Sequence, residues 1–194
     1  MVTPADVAAC VFNDLEGEFL RHTSPKVSDL GGSRFGGRWG PPREFSVLYL
    51  GRPSASVVAE AYRHLVDPVV GMTGRMVGPR KLWVCDVNVT QLLDLRDPES
   101  RARLGLSETD LSSEVRDYRK CNEIAIAAHQ LELHGIVAPS ASRLGETLAL
   151  FDQHLPIEEI PLVREVEIWD ALPSDPRRLR LVADERSRTE KTEG

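Results

Sequence analysis

The sequence LGGSRFGGRWGPPREFSVLYLGRPSASVVAEA, residues 30–61, contains the pattern around which the chain is organised. Residues 31–42 hold five glycines and two prolines, a composition that predicts a loop. Glycine also lets backbone amides approach a ligand closely, and this loop carries Arg34 and Arg38. Two interpretations follow from the residues alone: a loop that binds an anion, and a flexible surface connection.

A strand and a helix are predicted after the loop. Phe45–Leu50 is nearly all apolar and has the length of a buried strand. The next segment has apolar residues at helical spacing, although periodicity alone places Glu60 on a solvated face. Arg38, Tyr49 and Glu60 lie eleven residues apart in turn, on the loop, the strand and the helix. One cation, one phenol and one carboxylate could therefore meet at a single crevice.

Periodicity predicts the remaining elements of an α+β chain. Helices are predicted at residues 4–16, 97–104, 107–113 and 114–134, with Gly135 as the stop of the last and longest. Strands are predicted at residues 18–23, 82–89 with an extension at 92–95, 136–138, 147–151 and 162–169. Residues 67–80 are predicted to be a long loop or lid.

Length and composition indicate a single domain over residues 1–194, because a chain of this size buries a substantial core without a metal or a disulfide. The mixed charge of residues 184–194, without an apolar period, predicts a disordered tail. Cys10, Cys85 and Cys121 are far apart and lack a Cys-x-x-Cys pair, which favours core thiols over a zinc site.

Charge and hydropathy restrict the partners. A net charge of −6 argues against direct binding to nucleic acid, since such binding neutralises phosphates with Lys and Arg. The sequence has neither a basic and apolar leader nor an apolar run of membrane-spanning length. The histidines show no metal-ligand spacing. We therefore predict a cytoplasmic protein without a metal, a membrane segment or direct nucleic-acid binding.

A later segment supplies a hydroxyl group. The sequence GIVAPS at residues 135–140 places Ser140 just past a short buried strand. This segment lacks the Gly-x-Ser-x-Gly elbow of hydrolases, so Ser140 taken alone is a turn serine. Arg21, in the predicted first strand, is by itself an ordinary surface residue.

Arg38, Tyr49, Glu60 and Ser140, in this order, resemble the RES domain, a bacterial toxin family named after its arginine, glutamate and serine. The sequence Gly-Arg-Trp-Gly at residues 37–40 is similar to the family signature Gly-Arg-Trp-Asn, with glycine where asparagine is usual. That departure removes one side-chain hydrogen bond but keeps the arginine.

The resemblance covers about residues 17–169 and implies a fold and an activity. The implied fold is a single α+β domain similar to NAD-consuming ADP-ribosyltransferases, with a central mixed or split sheet flanked by helices. The implied protein is the toxin of a type II toxin-antitoxin system, which depletes NAD by phosphorolysis or hydrolysis of the nicotinamide-ribose bond. ADP-ribosyl transfer to a protein target is the alternative, and a catalytically inactive binding module is a further one. An Xre-type helix-turn-helix antitoxin would block the active site in a hetero-oligomer.

The resemblance also implies roles for the catalytic residues. Glu60 would stabilise the positive charge that develops at the anomeric carbon of the ribose. Arg38 would bind the NAD diphosphate or an incoming phosphate, because guanidinium pairs bidentately with phosphate oxygens. Tyr49 would stack on the nicotinamide. Ser140 would position the nicotinamide amide or a ribose hydroxyl.

Arg21 and Arg34 are the further substrate-binding candidates. RES proteins usually carry an arginine near their first strand, which favours Arg21, and Arg34 lies in the glycine-rich loop. With Arg38, they make more cations than Glu60 can pair with, so inorganic phosphate is predicted as a co-substrate beside NAD. This excess of arginines favours phosphorolysis over hydrolysis.

Overall fold

The computed structural model describes residues 1–112 and 118–177. The α-helices of this part are α1 Pro4–Ala8, α2 Ser54–Leu65, α3 Pro98–Arg103, α4 Glu108–Ser112 and α5 Arg119–Gln130. The strands are β1 Phe12–Thr23, β2 Val47–Arg52, β3 Arg80–Asp94, β4 Gly135–Pro139, β5 Glu146–Phe151 and β6 Leu162–Trp169. Two 3₁₀ turns span Gly74–Met76 and Ile157–Glu159. The predicted α+β class is confirmed.

The six strands form one mixed sheet in the order β1-β2-β5-β4-β3-β6, and β1 also pairs with β3. The β3–β4 pair is parallel, whereas the other pairs are antiparallel. Because β3 pairs with both β1 and β4, five strands close on themselves. Strand β6 lies outside this closed set, along the first half of β3.

Alternation along β2 directs its side chains into two different clusters of the core. Leu48 and Leu50 of β2 belong to a cluster built from the strands. Val47 and Tyr49 face the other way, toward a cluster that includes helix α5. The strand therefore turns Tyr49 toward the same side as the glycine-rich loop, whose Trp39 is 1% exposed in that cluster.

The predicted helix at residues 4–16 is wrong beyond its first turns. Helix α1 begins with a capping box formed by Thr3 and Asp6, and it ends at Ala8. From Phe12 onward the chain is strand, because β1 pairs with β3 over nearly its whole length. Backbone pairing with a distant strand outweighs the local helical period.

Two other boundaries differ from prediction. Strand β3 is continuous over 80–94, since Gln91 absorbs the expected turn with a φ of 55°. In the described part of residues 114–134, helix α5 runs from Arg119 to Gln130. The chain leaves the helix at Leu131 and Glu132, whose φ is 57°, so Gly135 is not the stop but the first residue of β4.

The other predicted elements are close to those observed. Strand β6 has the predicted limits, and the predicted lid at residues 67–80 contains a single 3₁₀ turn. The predicted tail at residues 184–194 lies outside the described residues. No helix in the described ranges is both long and apolar enough to span a membrane.

Candidate active site

A cavity of about 730 Å³ opens between the glycine-rich loop, helix α2 and the start of helix α5. This volume is in the range of sites for small molecules and cofactors. The charged lining residues other than histidine, within the described ranges, are Arg21, Arg38, Arg63, Arg119 and Glu60. Four arginines against one carboxylate make the cavity positive in a chain whose net charge is −6. The cavity therefore favours an anionic ligand.

The glycine-rich loop is fixed to the core rather than flexible at the signature residues. The side-chain amide of Asn122 in α5 donates hydrogen bonds to the carbonyls of Gly37 and Arg38, both at 2.8 Å. The backbone N–H of Trp39 donates to the hydroxyl of Tyr49 at 3.0 Å. Loop, helix and strand are thus joined around the backbone of Arg38.

Gly40, where the RES signature has asparagine, is closely packed. A Cβ atom at this position would lie 2.6 Å from the Cγ2 atom of Val47, which is too close for any side chain unless Val47 moves. Glycine at this position therefore leaves room for the side chain of Val47 in the following strand. The side-chain amide that holds this loop comes instead from Asn122.

The guanidinium of Arg38 is held at the cavity wall by contacts that include α4 and Tyr118. It donates to the backbone carbonyl of Asp110 in α4. Its central carbon lies 4.8 Å from the centroid of the Tyr118 ring, a cation–π distance. A planar cation held in this way presents a fixed set of donors to an anion.

Tyr49 lines the cavity as a neutral phenol. Burial raises the pKa of its hydroxyl well above the ordinary value, and the hydrogen bond from Trp39 N–H opposes this only in part. The phenol oxygen is occupied as an acceptor by that bond. The ring is suited to stack on a ligand, and the hydroxyl keeps its O–H as a donor.

The carboxylate of Glu60 faces the cavity and is anchored through one oxygen. Its Oε1 atom accepts the backbone N–H of Ser142 at 2.9 Å. Its Oε2 atom lies 3.6 Å from Nε of Arg63 and 3.9 Å from Nε2 of His64. The side chain is 24% exposed, so Glu60 is not the solvated residue that helical periodicity alone indicated.

Ser140 is 2% exposed and lies behind the cavity surface. Its hydroxyl is 2.7 Å from the hydroxyl of Ser142, which lies 3.4 Å from that of Ser56. Ser142 in turn holds Glu60 through its backbone N–H. In this geometry Ser140 is linked to the carboxylate through Ser142, and no contact between Ser140 and a substrate is needed to explain its burial.

Comparison with known protein families matches residues 17–181 to the RES domain. The chain belongs to the RES domain family. Among its relatives, "NAD(+) phosphorylase MbcT" of Mycobacterium tuberculosis (strain ATCC 25618 / H37Rv) is 27% identical over 146 residues, which are 75% of this chain and 77% of that protein. "Probable NAD(+) phosphorylase Rv3189" of the same strain is 37% identical over 136 residues, 68% of this chain and 61% of that protein.

A solved structure has the same fold as this RES domain. It is the crystal structure of the M. tuberculosis MbcT-MbcA toxin-antitoxin complex, with a TM-score of 0.76 and 24% sequence identity. The match covers 86% of this chain and 91% of that one. It is therefore a likeness of whole folds and not of one motif.

Of the two additional arginines predicted for this RES domain, the structure brings one to the cavity. Arg21 lines it and donates to the carbonyl of Gly31 at 2.6 Å, and burial lowers the pKa of its guanidinium. Arg34 is exposed and is not a lining residue. Its carbonyl accepts the N–H of Arg43 at 3.0 Å, a bond that turns the loop there and leaves Arg34 outside. The geometry gives no support to substrate binding by Arg34.

Sequence reasoning missed other cavity residues of this RES domain. Arg63 and His64 follow Glu60 by one helical turn, so their spacing from a suspected site residue was an available signal. Ser142 lies two residues after Ser140, but nothing in the sequence indicates that its backbone N–H would hold a carboxylate. Nothing in the sequence indicated Arg119 as a cavity residue, because it is far along the chain from Arg38 and Glu60 and belongs to no motif.

His22 contributes a neutral donor to the cavity. Burial, together with the neighbouring Arg80, lowers the pKa of its imidazole to about 3. Its Nδ1 atom is 3.3 Å from the Nη2 atom of Arg80. Since a guanidinium can only donate, Nδ1 accepts and Nε2 carries the proton. His22 is therefore an uncharged N–H donor at ordinary pH.

No group of three or more His, Cys, Asp and Glu side chains in the described ranges is placed to hold a metal ion. Cys85 and Cys121 are buried, as expected for core thiols, and burial raises the pKa of each thiol to about 11. Cys10 is only partly buried.

Proposed function

We propose that this chain is the toxin of a type II toxin-antitoxin system and that it depletes NAD by cleaving the nicotinamide-ribose bond. The observation that carries the proposal is the anchored carboxylate of Glu60 at a cavity lined by four arginines. The relatives named NAD(+) phosphorylases support it. We propose further that the chain is a single domain whose fold is related to the NAD-consuming ADP-ribosyltransferases.

Glu60 acts on the charge that develops during bond cleavage. As the bond between the anomeric carbon and the nicotinamide nitrogen breaks, the electron pair goes to the ring nitrogen and nicotinamide leaves as a neutral molecule. Positive charge then develops on the ribose. A carboxylate beside that carbon stabilises the transition state more than the ground state, and the bond from Ser142 N–H holds it there without neutralising it.

The arginines bind the phosphate groups of the reaction. Arg38, fixed between Asp110 and Tyr118, is suited to the NAD diphosphate. Arg63 lies beside Glu60 and is the candidate to bind the inorganic phosphate that attacks the anomeric carbon. A phosphate oxygen then forms the new bond to that carbon, which gives ADP-ribose 1″-phosphate. A bound phosphate competes with water because of its high effective concentration.

NAD loss is expected to accelerate as phosphate is added at constant ionic strength. The product should change from ADP-ribose to ADP-ribose 1″-phosphate, because four arginines provide more positive charge than the diphosphate and Glu60 neutralise. The measurement is chromatography of the products over a phosphate titration, with sodium chloride keeping the ionic strength constant. A flat rate with ADP-ribose alone would reject phosphorolysis. Transfer of label to a protein would favour ADP-ribosyl transfer.

We also propose that an antitoxin of the Xre helix-turn-helix type binds this chain in the cytoplasm and blocks the cavity. The fold likeness to MbcT in its complex with MbcA supports such a partner. Expression of this chain alone should arrest bacterial growth and deplete cellular NAD. Co-expression with a helix-turn-helix protein encoded by a neighbouring gene should restore growth and the NAD level. Harmless expression of abundant folded protein, with NAD intact, would contradict the proposal.

A further inference from the structure

Phe35 lies at the mouth of the arginine-rich cavity. Its side chain is 95% exposed, yet it is one of the residues that line the arginine-rich cavity. Single exposed apolar side chains are common on protein surfaces and by themselves indicate nothing. A fully exposed aromatic ring at the mouth of a charged cavity, however, is available to stack on a ligand.

The backbone around Phe35 is held in place although its side chain is not. Its N–H donates to the hydroxyl of Ser33 at 3.2 Å. The next residue, Gly36, has a φ of +88°, and a Cβ atom there would lie 2.9 Å from Cγ of Pro42. The loop thus uses a conformation that requires glycine, and this conformation presents the phenyl ring at the rim.

The reacting end of the cavity is deeper. Glu60 is held by Ser142 next to the buried Ser140, and its side chain is 24% exposed. A dinucleotide whose nicotinamide ribose reaches Glu60 passes its diphosphate along the arginines. Its second base then lies toward the rim, where Phe35 is found.

We propose that Phe35 forms the adenine subsite by stacking its ring on the adenine base of the dinucleotide. The inference rests on the proposed cleavage of NAD. Stacking of a base on an aromatic side chain changes affinity roughly 5- to 150-fold and does not depend on hydrogen-bonding groups of the base. The arginines alone would bind any diphosphate, so Phe35 makes the site selective for a diphosphate that carries a base.

Phe35→Ala should raise the KM for NAD roughly 5- to 50-fold with a smaller effect on kcat. The reason is that the adenine base stacks on the ring equally well in the ground state and in the transition state. Calorimetry should show weaker binding of ADP by a similar factor and unchanged binding of inorganic diphosphate. Phe35→Trp should restore both the KM and the ADP affinity. Ile157→Ala, at a residue 86% exposed and outside the cavity lining, is the control for loss of an exposed apolar side chain.

Unchanged KM and unchanged ADP affinity in folded Phe35→Ala would overturn the adenine subsite. An equal loss of ADP and inorganic diphosphate binding would also overturn it, since the ring would then act on the loop and not on the base. Failure of the wild-type protein to cleave NAD would overturn the proposed function instead, and the ADP measurement would still decide the role of Phe35.

Discussion

Glu60→Gln is expected to reduce the rate of NAD cleavage by about 10² to 10³. The substitution keeps the volume of the side chain, and the amide oxygen can still accept the Ser142 N–H. It removes the negative charge that would stabilise the developing cation on the ribose. Because this charge matters in the transition state, kcat should fall far more than KM changes.

The measurement for Glu60→Gln is nicotinamide release under saturating NAD, together with thermal unfolding. Stability should change little, since the residue is partly exposed and not part of the apolar core. Glu165→Gln, at an exposed carboxylate of β6 outside the cavity lining, is the control for the loss of one negative charge. Near-normal turnover by a folded Glu60→Gln protein would refute the role of Glu60.

Arg38→Ala is expected to lower kcat/KM for NAD by about 10- to 100-fold, as hydrogen bonds to charged groups contribute about 1.5–3 kcal/mol each. The KM should rise, because the diphosphate is bound in both the ground and the transition state. The KM should therefore account for most of the loss, in contrast to Glu60→Gln. Steady-state kinetics of NAD cleavage separates the two patterns.

Arg38 also contacts Asp110 and Tyr118, so its replacement could move α4. Arg38→Lys keeps the charge but not the planar fork and should recover only part of the affinity. Arg75→Ala, at an exposed residue of the 3₁₀ turn Gly74–Met76 outside the cavity lining, is the control for loss of one cation. An unchanged KM in folded Arg38→Ala would contradict the proposed anion clamp.

Several features of the fold follow from local sequence. The apolar run at residues 45–50 predicted β2, which is observed at Val47–Arg52, and the helical stripe after it predicted α2. Alternation over residues 162–169 predicted β6 with the observed limits. The N-terminal helix was predicted too long, because pairing of β1 with β3 depends on residues far along the chain.

The sequence by itself determined the order of the site elements: a loop with Arg38, a strand with Tyr49 and a helix with Glu60. Spacing and periodicity report these features because they depend on neighbouring residues. Only the tertiary structure decided which side chains meet. Asn122 fixes the loop across 85 residues, Ser142 holds Glu60 across 82, and Arg34 is left outside the cavity. Contacts of this kind arise from strand pairing and packing between distant segments, for which local periodicity carries no information.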